Sequence, residues 1–459
     1  MNFTLLAIDW GSVGLKAAQL LLSLSILVVL HEFGHYITAK WFKCRVEKFY
    51  LFFDPWFSLF KKKIGETEYG VGWLPLGGYV KISGMVDESM DKDALKLPPQ
   101  PHEFRSKPAW QRLIIMLGGV TVNILLAFII YAGILMVWGE KRIDNRTLQY
   151  GLAIEDSLMQ SFGFKDGDNI SRIDGDTVTN YYDLVPKLIV SKNVTIKRDG
   201  KEFDVQLPKN LIGQLVEKRR RDIPLISIRT PLWIGNSPDT GAAGAAKLKK
   251  WDKVVMIDSV PTPFLNDAVQ QLEKKKNSIA IVTVQRGDSL INTTWKLDST
   301  GLMPGLMVIG KHQSLDSAGV IDFSVKKYGF FAAFPAGVNM AFDKLKWYID
   351  QFRLILSPET EAYKGVGGFK AMGSVFSGEE WDWEHFWTIT AFFSIVLAFM
   401  NLLPIPALDG GHVLFTLGEM ITGRKPNEKF LEYAQIVGMV ILLALMLYAN
   451  GNDWFGWGK

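Results

Sequence analysis

The pentapeptide His31-Glu32-Phe33-Gly34-His35 carries the clearest chemistry in this chain. On a helix, residues i and i+4 share a face, so His31 and His35 can grip one metal ion. Glu32 lies about a quarter turn away, within reach of a water on that metal. Neutral imidazoles suit zinc, and a catalytic zinc takes three protein ligands and keeps one position open. Zinc lowers the pKa of water to about 7, so Glu32 could take a proton and return it to a leaving amine. The same pentapeptide also occurs by chance on soluble helices. Here it closes an apolar run, where a central acidic side chain costs about 2.5–3.5 kcal/mol. The bland alternative is a helix end whose histidines merely meet lipid headgroups.

A second cluster is Asn401-Leu402-Leu403-Pro404-Ile405-Pro406-Ala407-Leu408-Asp409-Gly410-Gly411-His412. Its prolines and glycines break a helix inside an apolar stretch. Irregular backbone at that depth is tolerated only when buried in protein or lining a wet cavity. Asp409 is the expected third zinc ligand, with an ordinary loop aspartate as the alternative. His412 could compete, but three residues after Asp409 it more readily caps or supports the site. Asn401 could orient substrate backbone, support a ligand, or satisfy carbonyls freed near Pro404.

These residues need apolar elements to hold them. The 459 residues are 48% hydrophobic and 21% charged, with net charge +4. Disordered, collagen-like and nucleic-acid-binding classes are thereby excluded. A lone Cys44 forms no internal disulfide. Mean hydropathy is +0.12, slightly high for a soluble enzyme. The apolar excess lies in four runs, Val13–Ala39, Leu113–Val137, Phe386–Leu408 and Tyr433–Ala449. About 20 residues cross a hydrocarbon core, so four spans are expected. Lys40, Lys43, Arg45, Lys48 and Lys61-Lys62-Lys63 follow the first run, and Arg424, Lys425 and Lys429 lie between the third and fourth. By the positive-inside rule those segments are cytoplasmic, while both ends and residues 139–384 are external.

The external stretch contains a repeat. Phe164-Lys-Asp-Gly-Asp168-Asn-Ile-Ser-Arg-Ile173-Asp174-Gly175 parallels Leu248-Lys-Lys-Trp-Asp252-Lys-Val-Val-Met-Ile257-Asp258-Ser259. Each copy precedes a helical stretch and a strand, Val194–Arg198 or Val282–Arg286. The first copy resembles a bacterial PDZ domain well. The second has Trp-Asp for Gly-Asp and Asp-Ser for Asp-Gly. Such modules bind peptide C-termini or extended segments at a sheet edge, or serve as spacers and size filters. Residues 339–356 read as an amphipathic helix that could lie on the outer membrane surface or pack on protein. Glu68–Leu74, with Gly70 and Gly72, and Gly78–Ile82 read as strands around the Gly77-Gly78 turn, either an edge that an extended peptide could join or a plain cytoplasmic hairpin.

His31-Glu-Phe-Gly-His35 followed by Asn401…Leu408-Asp409-Gly410 resembles the site-2 protease family of intramembrane zinc metalloproteases. The two PDZ-like modules narrow the resemblance to its RseP-type branch, regulators of the sigma-E response. Asn123 after Gly118-Gly119 fits the family's Gly-x-x-x-Asn pattern, with Val120 in place of the usual proline. Pro75–Lys81 fits its cytoplasmic-side hairpin, although Leu51-Phe52-Phe53-Asp54 replaces a Gly-Phe-Gly turn. The resemblance implies zinc held by His31, His35 and Asp409, Glu32 as general base, and substrate contacts at Asn401 and the four glycines. It implies cleavage of single-pass transmembrane proteins, such as anti-sigma factors or signal-peptide remnants, within the bilayer of a bacterial inner membrane, near its cytoplasmic side.

The fold expected is a multi-pass α-helical membrane protein of four transmembrane helices, with a membrane-associated β-hairpin region and two inserted α+β PDZ-like domains. Its parts are a first membrane segment at 1–138 with the hairpin at 45–85, PDZ-like domains at 139–220 and 221–305, an external amphipathic-helix linker at 306–384, and a second membrane segment at 385–459. Both termini and the PDZ-like domains would be periplasmic. The alternative is a catalytically inactive membrane-anchored PDZ scaffold that binds transmembrane helices.

Overall fold

Asp9 starts the first helix by accepting hydrogen bonds from the Gly11 and Ser12 amides at 3.1 and 3.2 Å. This cap satisfies amides that have no partner within a helix. The computed structural model describes residues 9–85, 98–218, 224–235, 244, 246–310 and 312–458. The expected break between PDZ-like modules at 220 and 221 lies outside the described residues. The chain divides into two compact units. One holds the residues up to Gly139, Lys327–Leu356 and those from Tyr363 onward; the other holds Glu140–Lys326 and Ser357–Ala362.

The first unit is built on helices α1 (Trp10–Trp41), α2 (Ala109–Val137), α3 (Phe330–Ile355), α4 (Trp383–Leu402), α5 (Asp409–Thr422) and α6 (Glu428–Phe455). Among the described residues, α1, α2, α4 and α6 are long and apolar enough to cross a membrane. In lipid there is little hydrophobic drive between helices, so close packing and polar contacts must join them. α1 and α2 meet at Gly34 and Gly118, where a Cβ on either would collide with the other's carbonyl group. Thr390 Oγ1 on α4 donates to Ser23 Oγ on α1 at 3.0 Å, and Ser394 Oγ donates to the Asn123 carbonyl at 2.8 Å. The third apolar run stops being helical at Leu402, because Pro404 and Pro406 cannot donate to the helix ladder. The chain then turns into α5, a helix not anticipated from the sequence. α3 packs on protein: Phe342 meets Phe128 of α2, and Tyr348 meets Phe392 and Phe399 of α4.

Between α1 and α2, strands β1 (Val46–Ile64) and β2 (Thr67–Ile82) form one folded sheet. Lys48–Leu51 pair with Glu68–Val71 on one side and with Gly78–Lys81 on the other. Ser58–Ile64 pair with Thr67–Gly72. Gly78–Ile82 is therefore an edge, with β1 on one side and no other strand pairing among the described residues. Within Leu51–Asp54, Phe52 adopts φ 66°, and Trp56 just beyond it φ 73°. Left-handed backbone at bulky residues is sparse and strained. Asp54 ties this segment down by accepting from Ser58 Oγ and Tyr79 Oη, both at 2.9 Å.

The second unit contains two four-stranded sheets. After β3 (Glu140–Ile143), the first comprises β4 (Asn169–Ile173), β5 (Asp176–Thr177), β6 (Asn193–Arg198) and β7 (Lys201–Gln206), ordered β5-β4-β6-β7. The second comprises β8 (Lys253–Ile257), β9 (Val260–Pro261), β10 (Ile279–Arg286) and β11 (Ser289–Lys296), ordered β9-β8-β10-β11. The exit strand β12 (Phe323–Lys326) pairs with β3. The repeat persists in three dimensions. Asp168 receives two hydrogen bonds from Arg198 at 2.6 and 2.8 Å, and Asp252 receives two from Arg286 at 2.7 and 2.6 Å. Gly167 has φ 90° and Trp251, at the equivalent position, φ 72°; Gly175 has φ 88° and Ser259 φ 67°. The second copy thus keeps the turns and places bulkier residues in backbone that favours glycine.

Candidate metal centre and active site

α1 places His31 and His35 one turn apart on its buried face, 7% and 5% exposed. Their Nε2 atoms lie 3.3 Å apart, and each is 3.2 Å from Oδ2 of Asp409. Asp409 is the first residue of α5, delivered by the Leu403–Leu408 turn. A Cβ at Gly410 would collide with the Leu402 and Leu403 carbonyls, so the close fold-back depends on glycine there.

The protonation of the rings follows from their other nitrogens. His35 Nδ1 donates to the Ile115 carbonyl oxygen at 2.8 Å, leaving a lone pair on Nε2. His31 Nδ1 faces the Asn123 amide at 3.0 Å. Asn123 is fully buried, and its Oδ1 has no partner in the orientation shown. A half-turn of the amide lets that oxygen accept from His31 Nδ1–H, which frees the Nε2 lone pair. Two imidazole lone pairs and a buried carboxylate oxygen with no hydrogen bond then converge. Three acceptor atoms turned on one point, with a single amide donor in reach among the described residues, Asn401 Nδ2 beside His31 Nε2, suit a cation, so the donor set fits zinc.

Glu32, His31, His35 and Asp409 share a cavity of about 940 Å³ with Gly78, Tyr79 and Gln435. Val80 of the β2 edge lines the same cavity as Glu32, so that edge runs beside the carboxylate. A Cβ at Gly78 would lie 3.6 Å from Glu32 Cγ. Asn401 Nδ2 is 3.2 Å from His31 Nε2. Of the other expected substrate contacts, Gly70 lies under the Tyr50 ring, Gly72 against the Phe53 carbonyl and Gly77 beside the Phe53 ring. His412 is elsewhere, in a cavity of about 300 Å³ beside Arg112 and Glu419. In the sequence Asn123 stands out only as part of the Gly-x-x-x-Asn pattern. A lone amide within an apolar run was the available signal of a chemical role, since membrane spans rarely hold polar groups without partners.

A membrane-length helical bundle holding this donor set beside a carboxylate is the framework of a membrane metalloprotease. Sequence comparison agrees: the chain matches Peptidase family M50 over residues 19–445 and belongs to that family, the site-2 proteases. It is a zinc metalloprotease, a hydrolase of the intramembrane type. A Campylobacter jejuni protein named as a zinc metalloprotease is 27% identical, covering 98% of this chain and 95% of its own. The regulator of sigma-E protease RseP of Escherichia coli is 25% identical, covering 95% and 97%. A zinc metalloprotease homologue in Treponema pallidum is 26% identical, covering 94% and 96%.

Proposed function

We propose that His31, His35 and Asp409 hold the zinc and that Glu32 is the general base for cleavage of single-pass transmembrane segments. The convergence of three buried acceptor atoms within 4.8 Å, beside Glu32, carries this reading. Zinc bound there supplies Lewis acidity, enough to bring the pKa of a water to about 7. Glu32 takes the proton released from the attacking water and delivers it to the departing amide nitrogen. The Asn401 amide is near enough to His31 to meet charge developing on the scissile carbonyl oxygen.

A helical substrate hides its peptide bonds in its own ladder and must unwind first. The edge Gly78–Ile82, paired with β1 on one side only, can receive the unwound stretch as an added strand beside the catalytic carboxylate. The two repeated sheets we assign to PDZ-like domains, on their common strand order and turn geometry. Their role is to screen for substrates already shortened on the outer side. We place the chain in a bacterial inner membrane, with both ends and the repeated sheets periplasmic and the catalytic centre toward the cytoplasm, from the Lys/Arg distribution. Anti-sigma-factor-like proteins are the substrate class, by analogy with the sigma-E regulator relative.

The decisive test is Glu32→Gln in the purified, zinc-loaded protein. Zinc content should hold while cleavage of a transmembrane substrate disappears, and His35→Ala should lose the zinc. Continued cleavage by Glu32→Gln would sink the mechanism.

A further inference from the structure

α6 is the least buried of the membrane-length helices, with 11% of its apolar window covered. Its single buried polar side chain among the described residues is Gln435, 9% exposed. Helical spacing puts Gln435 on one face with Met439, Leu442 and Leu443, and all four line the catalytic cavity. That face is held firmly, because a Cβ at Gly438 would collide with the Pro406 carbonyl, in the turn that delivers Asp409. The Gln435 side chain makes no hydrogen bond to a described residue. An amide brought into a membrane span without a protein partner is unfavourable, and such residues mark functional paths.

The same cavity is walled by the Gly78–Ile82 edge. A strand laid on that edge points the N–H and C=O of one residue toward β2 and those of the next residue away from it. The second set would have no strand partner in that cavity. We propose that Gln435 pairs with that set: its amide nitrogen donates to a substrate carbonyl and its amide oxygen accepts from a substrate N–H. The unwound segment is thereby held between β2 and α6, with the scissile bond at Glu32. The proposal rests on the reading that Glu32 and the donor set form the cleavage site. Because Gln435 addresses main chain, it stabilises the unwound state of many sequences rather than choosing among side chains.

The test uses the full-length, zinc-loaded protease in lipid vesicles with a single-pass substrate. Gln435→Leu should lower kcat/KM at least about tenfold, mainly by raising KM, as loss of both main-chain hydrogen bonds does. Zinc content and melting temperature should stay at wild-type values. A second measurement replaces single substrate peptide bonds near the cleavage site by esters. One ester should slow the wild-type protease and leave Gln435→Leu unaffected, while Gln435→Glu, which keeps the acceptor, should retain sensitivity at that N–H. Equal ester penalties in wild type and Gln435→Leu, unchanged kcat/KM, or a loss accompanied by missing zinc would overturn the proposal. Cleavage surviving Glu32→Gln would remove the catalytic reading itself; its abolition beside a neutral Gln435→Leu would remove only this inference.

Discussion

Gly119→Ala is a one-carbon test of the metal centre. Gly119 of α2 faces the two imidazoles, and an added Cβ would lie 2.5 Å from His35 Nε2, 2.6 Å from His31 Cε1 and 2.8 Å from His31 Nδ1. Ordinary contact begins at 3.4 Å, so the His35 ring must retreat by about 0.9 Å. Ligand distances at a zinc site hold within about 0.2 Å, so the displaced ring cannot keep its place. Both rings are tied, His35 to the Ile115 carbonyl and His31 to Asn123, and cannot move together without breaking those bonds. Loss of an outer partner alone costs about 10–100-fold in metal affinity. Gly119→Ala should therefore weaken zinc at least ~100-fold, or about 2.7 kcal/mol. The assay is zinc per protein after equilibration against graded chelator, read beside the melting temperature. Gly133→Ala is the control, because a Cβ there meets nothing within 4 Å on the same helix. Zinc affinity within twofold of wild type in Gly119→Ala would refute the geometry.

Other outcomes follow from the same structure. Asn123→Leu should weaken zinc about 10–100-fold, and Asn123→Asp, which keeps an acceptor for His31, should recover most of it, measured by the same titration. Arg198→Met strands the fully buried Asp168 carboxylate and should destabilise the first repeated sheet by ~3 kcal/mol, seen as faster amide exchange across Ile170 and Ile196. Hydrogen bonding from Arg146 holds the Asp144 carboxyl down at about 2. A depressed carboxyl stabilises the fold fully above its unfolded value and loses that contribution as pH falls from about 4 toward 2. Thermal melts of wild type should therefore lose more between pH 5 and 2 than those of Asp144→Asn; equal losses would contradict the assignment. Removing residues 151–298 should let the protease cut substrates that still carry their outer domain, scored on gels against the intact chain.

Much of the molecule was readable one element at a time. Hydropathy located the four spans, since about 20 apolar residues announce a crossing whatever they pack against. The i, i+4 spacing put His31 and His35 on one helix face, because helical periodicity is local. The repeat was legible from its turns, although Trp251 and Ser259 disguised the second copy. Only the backbone angles show that they occupy the positions of Gly167 and Gly175. The break in the third run was visible in its prolines, but not that the chain would resume at once as α5 with Asp409 at its start.

Contacts between elements were not readable in this way. Nothing local in α2 says that Gly119 presses on both imidazoles or that Asn123 faces His31 Nδ1, since both depend on how α2 is rotated against α1. The Gly34–Gly118 approach sets that rotation, and it is a property of two helices at once. Gly70 and Gly72 read in sequence only as members of a strand, and the folding of the sheet is what sets them against Tyr50 and Phe53. Gln435 reads in sequence as one polar residue in a greasy helix, and only the packing of Gly438 on Pro406 shows that it faces the catalytic cavity. Residue type and spacing along one helix were enough to specify zinc chemistry. Which side chains complete the site was decided by helix rotation and close backbone approach, which act between segments tens to hundreds of residues apart.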